Sequence, residues 1–149
     1  MDKLLRDELV RDEGCRLTPY KDINGFWTIG VGHLLGPGSQ PRMTSITLRE
    51  AEALLALDVD DAESAVHMVF GPCLNVGPVR WRALVNMAFN RGQNNMQHST
   101  TITPAIKAAL AGGDWKAVTA AIASSPWAAQ IGARAMRIAF MLENRTVMP

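Results

Sequence analysis

The stretch DEGCRLTPYKDINGFWTIGVGH, residues 12–33, is where the periodicity of the chain changes. Ahead of and into it, MDKLLRDELVRDEG repeats its apolar residues at helical spacing. Leu4, Leu5 and Leu9 share a face, Asp2 can cap the start, and Gly14 can stop the helix. Further along, CRLTPYK and FWTIGVG read as strands, and the DING between them carries Asn24-Gly25, a strong signal for a tight hairpin. Strand alternation puts Trp27, Ile29 and Val31 on a packing face and Phe26, Thr28, Gly30 and Gly32 on the other. That second face sets a hydroxyl beside two residues without side chains, which leaves room for something to lie against the backbone.

Working outward, a Gly- and Pro-rich loop, GPGSQPRM, precedes Thr47-Leu48-Arg49-Glu50, a capping box that opens a long helix. Leu48, Ala51, Leu54, Leu55 and Val59 line one side of it, and Gly71-Pro72 stops it after Phe70. The rest reads as short apolar helices. Pro78 starts one running to about Asn90, with Gly92 past its end. Thr103-Pro104 opens another that Gly112-Gly113 closes; Asp114 and Ser125-Pro126 cap two more, and the last covers roughly residues 133–143. The expected architecture is a single α+β domain over 1–149: a first helix (1–14) packing on the helical lobe, a β-lobe (15–46), a connecting helix (47–70) and the helical lobe (71–149). Ligands usually bind in clefts between such lobes.

Composition sets the class. At 48% hydrophobic and 19% charged the chain reads as an ordinary soluble globular protein. Its apolar runs are too short to span a bilayer, so no stable membrane insertion is expected. The charged start lacks the basic-then-apolar order of a secretory signal, which points to a cytoplasm. Residues 1–70 carry 7 Lys and Arg against 12 Asp and Glu, while residues 71–149 carry 8 against 2. The basic half suggests an anionic partner, yet no Lys/Arg run or aromatic-interleaved basic stretch supports nucleic acid. Cys15 and Cys73 read as small hydrophobes rather than a disulfide. His33, His67 and His98 lack metal-ligand spacing, so no metal site is expected.

Glu13 and Asp22 flank the entry to the hairpin. Cleaving an acetal needs one group to protonate the leaving oxygen and one carboxylate to handle water or developing positive charge. Glu13 falls in the last turn of a helix, where exposed carbonyls disfavour an anion, and that suits a proton donor. Asp22, at a hairpin loop, should stay wetter and ionised, and Thr28 could hold a water by its hydroxyl. From spacing alone the plainer reading is the stronger: two of fourteen acids and a strand threonine.

The motif E-x8-D-x5-T, embedded in DEG…YKD..G.WTIGVGH, resembles that of phage-type lysozymes, the endolysins of glycoside hydrolase family twenty-four. TLREAEALLALDVDDAE resembles the family's connecting helix, ALVNMAFNRG its central helix, and GDW and SPWAAQIGARAMR its C-terminal segments. The resemblance implies a lysozyme-like α+β fold and a cofactor-free muramidase that hydrolyses the β-1,4 bond between N-acetylmuramic acid and N-acetylglucosamine in peptidoglycan. It implies Glu13 as proton donor, Asp22 as second carboxylate and Thr28 as the hydroxyl that positions water, generally with inversion at the anomeric carbon. It also implies a monomer that waits in the host cytoplasm until a separate pore-forming protein admits it to the periplasmic wall. The interval from His33 to Thr47 is short for the family, which implies a trimmed β-lobe. A lytic transglycosylase or a catalytically silent wall-binding protein are the alternatives, and intact Glu13, Asp22 and Thr28 count against both.

The same resemblance matches Leu34 and Phe89 to positions near the sugar cleft, with core packing the stronger expectation for both and sugar contact secondary. Arg134 matches an arginine that approaches the catalytic glutamate; the other reading is a solvated helix-face charge. His33 is expected to be structural, paired with an acid such as Asp58. Asn86, among apolar residues, would need a hydrogen-bond partner if buried.

Overall fold

A computed structural model describes residues 2–39, 41–72 and 74–148. The chain divides into two compact units, residues 1–61 and 62–149. Helix α1 (Lys3–Glu13) opens the first unit. Asp2 caps it, its Oδ1 accepting the Leu4 amide at 2.7 Å, and Gly14 leaves it at φ 72°. Although the sequence groups this helix with the helical lobe, it falls in the unit that holds the sheet.

The sheet has three antiparallel strands in the order β1 (Arg16–Lys21), β2 (Trp27–Gly30) and β3 (His33–Gly36). The Asn24-Gly25 signal marks a real hairpin, but its loop is one residue longer than the tight turn expected: the Gly25 amide donates to the Asp22 carbonyl at 3.0 Å with Ile23 and Asn24 between them, and φ is 82° at Gly25. The third strand is absent from the sequence reading, which carried the second strand on to Gly32. Gly30 and Gly32 instead adopt φ 63° and 72°, reversing the chain at once so that HLLG returns alongside β2. A four-residue strand with no internal alternation gives the eye little to find.

Helix α2 (Leu48–Phe70) starts at the predicted capping box. The Glu50 carboxylate accepts the Thr47 amide at 2.7 Å, and the Thr47 hydroxyl accepts the Glu50 amide at 3.2 Å. Its residues to Asp61 belong to the first unit and the remainder to the second. Gly30 backs onto it closely: a Cβ there would sit 3.5 Å from the Ala51 Cβ. Leu5, Leu9, Ile29, Val31, Ala51, Leu55 and Val59 are all buried.

In the second unit α3 (Pro78–Gln97) is the most buried segment, with Ala83, Leu84, Val85, Met87 and Ala88 shielded from water. It packs on α7 (Ala133–Asn144), which also meets α5 (Trp115–Ala123) and α6 (Pro126–Ile131), while α4 (Ile102–Gly112) lies on α5. Gly92 was expected past the end of α3. It is a kink instead, at φ 71° and ψ 157°, and a further helical stretch reaches Gln97. Asp114 and Ser125 cap α5 and α6 as their sequence contexts predict. Cys15, expected as a small hydrophobe, is an exposed free thiol, and Cys73 lies outside the described residues.

Candidate active site

Glu13 is the last residue of α1 and is half-buried. Its side chain lies over Gly32, where a Cβ would stand 3.3 Å from Glu13 Oε2 and 3.4 Å from its Cδ and Cγ. The bare strip of backbone expected from Gly30 and Gly32 therefore exists, but it is filled from within. Ala51 and Ile46 occupy one position and Glu13 the other.

Asp22 closes the hairpin. Its Oδ1 accepts the Asn24 amide at 2.9 Å and the Phe26 amide at 2.8 Å, while its own amide donates to the Phe26 carbonyl at 2.9 Å. An aspartate at the first position of such a turn commonly does this, since its short side chain reaches the amides two residues on. Thr28 is buried on β2, and its hydroxyl donates to the Phe26 carbonyl at 3.3 Å. With its proton committed there, the oxygen keeps acceptor capacity for a water.

Strand register adds a residue that the sequence reading passed over. Tyr20 stands directly opposite Thr28, so the two side chains share one face of the sheet. Asp22 follows the strand directly, two residues beyond Tyr20, where the turn begins. The Arg16 guanidinium covers the Tyr20 ring, its Cζ 4.4 Å from the centroid. Burial pushes the Tyr20 phenol above its ordinary 10.0; the Arg16 cation opposes this, and the negative charges of Glu13 and Asp22 add to it. One phenol thus feels both carboxylates. The sequence does not give this pairing: a two-residue turn at Asn24-Gly25 would set residue 20 opposite residue 29, whereas the loop is Ile23-Asn24-Gly25 and sets it opposite Thr28.

His33 pairs with Asp58, the acid expected for it, its Nδ1 lying 2.9 Å from Oδ2 and 3.0 Å from Oδ1. Burial pushes the Asp58 carboxyl up, and the hydrogen bond to His33 works against that rise. Leu34, across from Thr28 on β3, is 58% exposed, so core packing does not explain it. Phe89 and Arg134 belong to the second unit. Phe89 is half-buried on α3. Arg134 is buried rather than solvated, its Nε donating to Asn86 Oδ1 at 2.9 Å and its Nη2 reaching the Asn86 carbonyl at 3.5 Å. Asn86, itself 3% exposed, thereby finds the partner that its burial demands. Among the described residues no three of the His, Cys, Asp and Glu side chains gather as a metal site would require.

Among the described residues, a three-stranded antiparallel sheet and seven helices make a lysozyme-like α+β fold. Residues 10–144 match the family model for phage lysozyme, and the chain belongs to that family of glycoside hydrolases. It is 29% identical to the probable T4-type lysozyme 1 of Dictyostelium discoideum over 96% of this chain and 95% of that protein. It is 31% identical to the pre-baseplate central spike protein of Enterobacteria phage T4 over 93% of this chain, which spans 27% of the spike protein's length. The endolysin of Salmonella phage P22 is 33% identical over 63% of this chain and 64% of its own.

Proposed function

We propose that the chain hydrolyses the β-1,4 bond between N-acetylmuramic acid and N-acetylglucosamine in peptidoglycan, with Glu13 as general acid, Asp22 as second carboxylate and Thr28 orienting water. The observation that carries this reading is the pairing of Tyr20 with Thr28 across the hairpin that Asp22 closes, with Glu13 at the end of α1 lying over Gly32 at the turn after β2. Glu13 gives its proton to the glycosidic oxygen as the bond to the anomeric carbon breaks. A water adds at that carbon, passing one proton to Asp22 and directing its other toward the Thr28 oxygen. The two amides on Asp22 Oδ1 hold the carboxylate in place while it does so.

The family resemblance assigns sugar contact to Leu34 and Phe89 and a supporting role to Arg134, while His33 with Asp58 ties β3 to α2. No cofactor enters. The enzyme works as a monomer, is held in the host cytoplasm and meets the wall once a separate pore-forming protein opens the membrane. Turbidity clearing of outer-membrane-stripped cells tests the assignment. Glu13→Gln should lose at least about 10²-fold in rate, the scale of a lost general acid. Near-normal clearing by that variant would contradict it. Mass spectrometry of the digested glycan separates hydrolysis, which leaves a reducing muramic acid, from intramolecular ring closure.

A further inference from the structure

Arg91 stands next to the kink of α3 and is half-buried there. Its guanidinium lies over the Trp127 ring, the Cζ 5.1 Å from the centroid. That indole is itself held, its Nε1 donating to Asn90 Oδ1 at 2.7 Å. Arg91 Nη2 donates to the Asn95 carbonyl at 3.1 Å, and Asn95 Nδ2 returns a bond to the Arg91 carbonyl at 2.7 Å. This reciprocal staple accounts for the way the helix resumes beyond Gly92. It does not account for the charge. Among the described residues no carboxylate pairs with Arg91, and no second acceptor takes its remaining protons. Residues 62–149 hold three acids in all, Glu63, Asp114 and Glu143. Burial pulls the Arg91 pKa below its ordinary value, and no nearby anion offsets that loss of water. A neutral donor would serve a staple as well. A half-desolvated cation on an aromatic platform, its fork still open, suits a flat anion that accepts two bonds.

We propose that Arg91 is a carboxylate-binding residue, its guanidinium fixed by Trp127 and Asn95 to take a free carboxylate of a peptide stem on the cell-wall glycan. The identity of the anion rests on the muramidase reading. In peptidoglycan the muramic acid carboxyl is taken up in an amide to the stem, so negative charge beside the sugars sits on the stem's own carboxylates. Arg91 then selects glycan that carries stems, while the bond that is cut stays the same.

Calorimetric binding to the Glu13→Gln variant tests this without turnover. Three soluble probes are compared: uncross-linked glycan with its stems, the same glycan with its carboxylates capped as methylamides, and amidase-stripped glycan that keeps only the muramic acid carboxyl. The stem-bearing probe should bind at least about tenfold tighter than the other two, the scale of one charged hydrogen bond. Adding Arg91→Gln should remove that margin, leave affinity for the capped probe unchanged and preserve the circular dichroism spectrum. Arg91→Lys keeps the charge without the fork and should shrink the margin severalfold, which keeps the test open if the first variant misfolds. Asn95→Ala opens the staple but keeps the cation, so the margin should persist. An absent margin, or one untouched by both Arg91 replacements, overturns the proposal. Equal weakening of all three probes by Arg91→Gln reduces the residue to a staple and overturns it too, as does stripped glycan binding as tightly as the stem-bearing probe. Should wild type clear no cells while the Arg91-dependent margin holds, the muramidase reading fails and the carboxylate site stands.

Discussion

Gly32 carries no side chain at the one place where a side chain would stand against the Glu13 carboxylate. Its φ of 72° adds a second reason for glycine, since a residue with a Cβ is strained there. Gly32→Ala should lower stability by about 1–2 kcal/mol and displace Glu13, cutting the clearing rate by roughly tenfold or more. A melting curve set beside a clearing assay checks both, and an unchanged rate would separate Gly32 from the placement of Glu13. In the second unit, Asn86→Leu removes an acceptor from the buried Arg134 guanidinium and should cost about 2–4 kcal/mol in urea denaturation. At this scale the proposed roles of Glu13, Asp22 and Thr28 rest on the family resemblance of their motif, since their spacing alone favours the plainer reading. Gly32 and Tyr20 could not be assigned their places, because what matters about each is its neighbour across the fold.

At the scale of elements, caps and turns were the most legible features, since their chemistry is local. The Thr47–Glu50 box is one such case. The Thr47 amide and hydroxyl both donate to the Glu50 carboxylate and hold its pKa below the ordinary 4.5. A carboxyl depressed in the folded state contributes stability that is complete above its unfolded value and is lost as pH falls through the folded one. Amide exchange in the first turn of α2 should therefore quicken in acid below about pH 4.5, and Thr47→Ala should flatten that dependence. A turn whose protection ignores pH would refute the box as its anchor. Less legible was Arg80, whose sequence context gives no hint of burial. It stacks 4.0 Å from the Trp115 ring centroid and donates to the Leu142 and Glu143 carbonyls at the end of α7. Arg80→Met should cost about 2–3 kcal/mol by chemical denaturation, as carbonyls lose a charged donor. The misread kink at Gly92 and the missed β3 have one cause: a glycine announces that a chain can turn, and tertiary contacts decide whether the element resumes afterwards.

Over the whole molecule, charge follows the two units. Residues 1–61 hold 7 basic against 11 acidic side chains, a net of −4, while residues 62–149 hold 8 against 3, a net of +5. Among the described residues no helix is long and apolar enough to cross a membrane. Attraction between the basic unit and an anionic wall would act through solvent, where screening at physiological salt sets in within about 8 Å. Sedimentation of the Glu13→Gln variant with purified sacculi should weaken severalfold between low and near-molar salt, and salt-independent binding would assign retention to neutral sugar contacts instead. The α+β plan was readable because hydrophobic period switches from 3.6 to 2 and back along the chain. Its division after residue 61 falls inside a continuous helix, so the hydrophobic period does not reveal it.

The hairpin tip has a consequence for any attempt to redesign this enzyme. Asp22 Oδ1 is occupied in shaping the turn, so under the proposed mechanism a single side chain serves as both hinge pin and reagent. An amide replacement keeps the oxygen that the loop requires and deletes only the charge, whereas alanine would dismantle the loop along with the chemistry. Lengthening the side chain would swing the carboxylate off its two anchoring amides. Loop length, reach and reactivity at this corner can change only together.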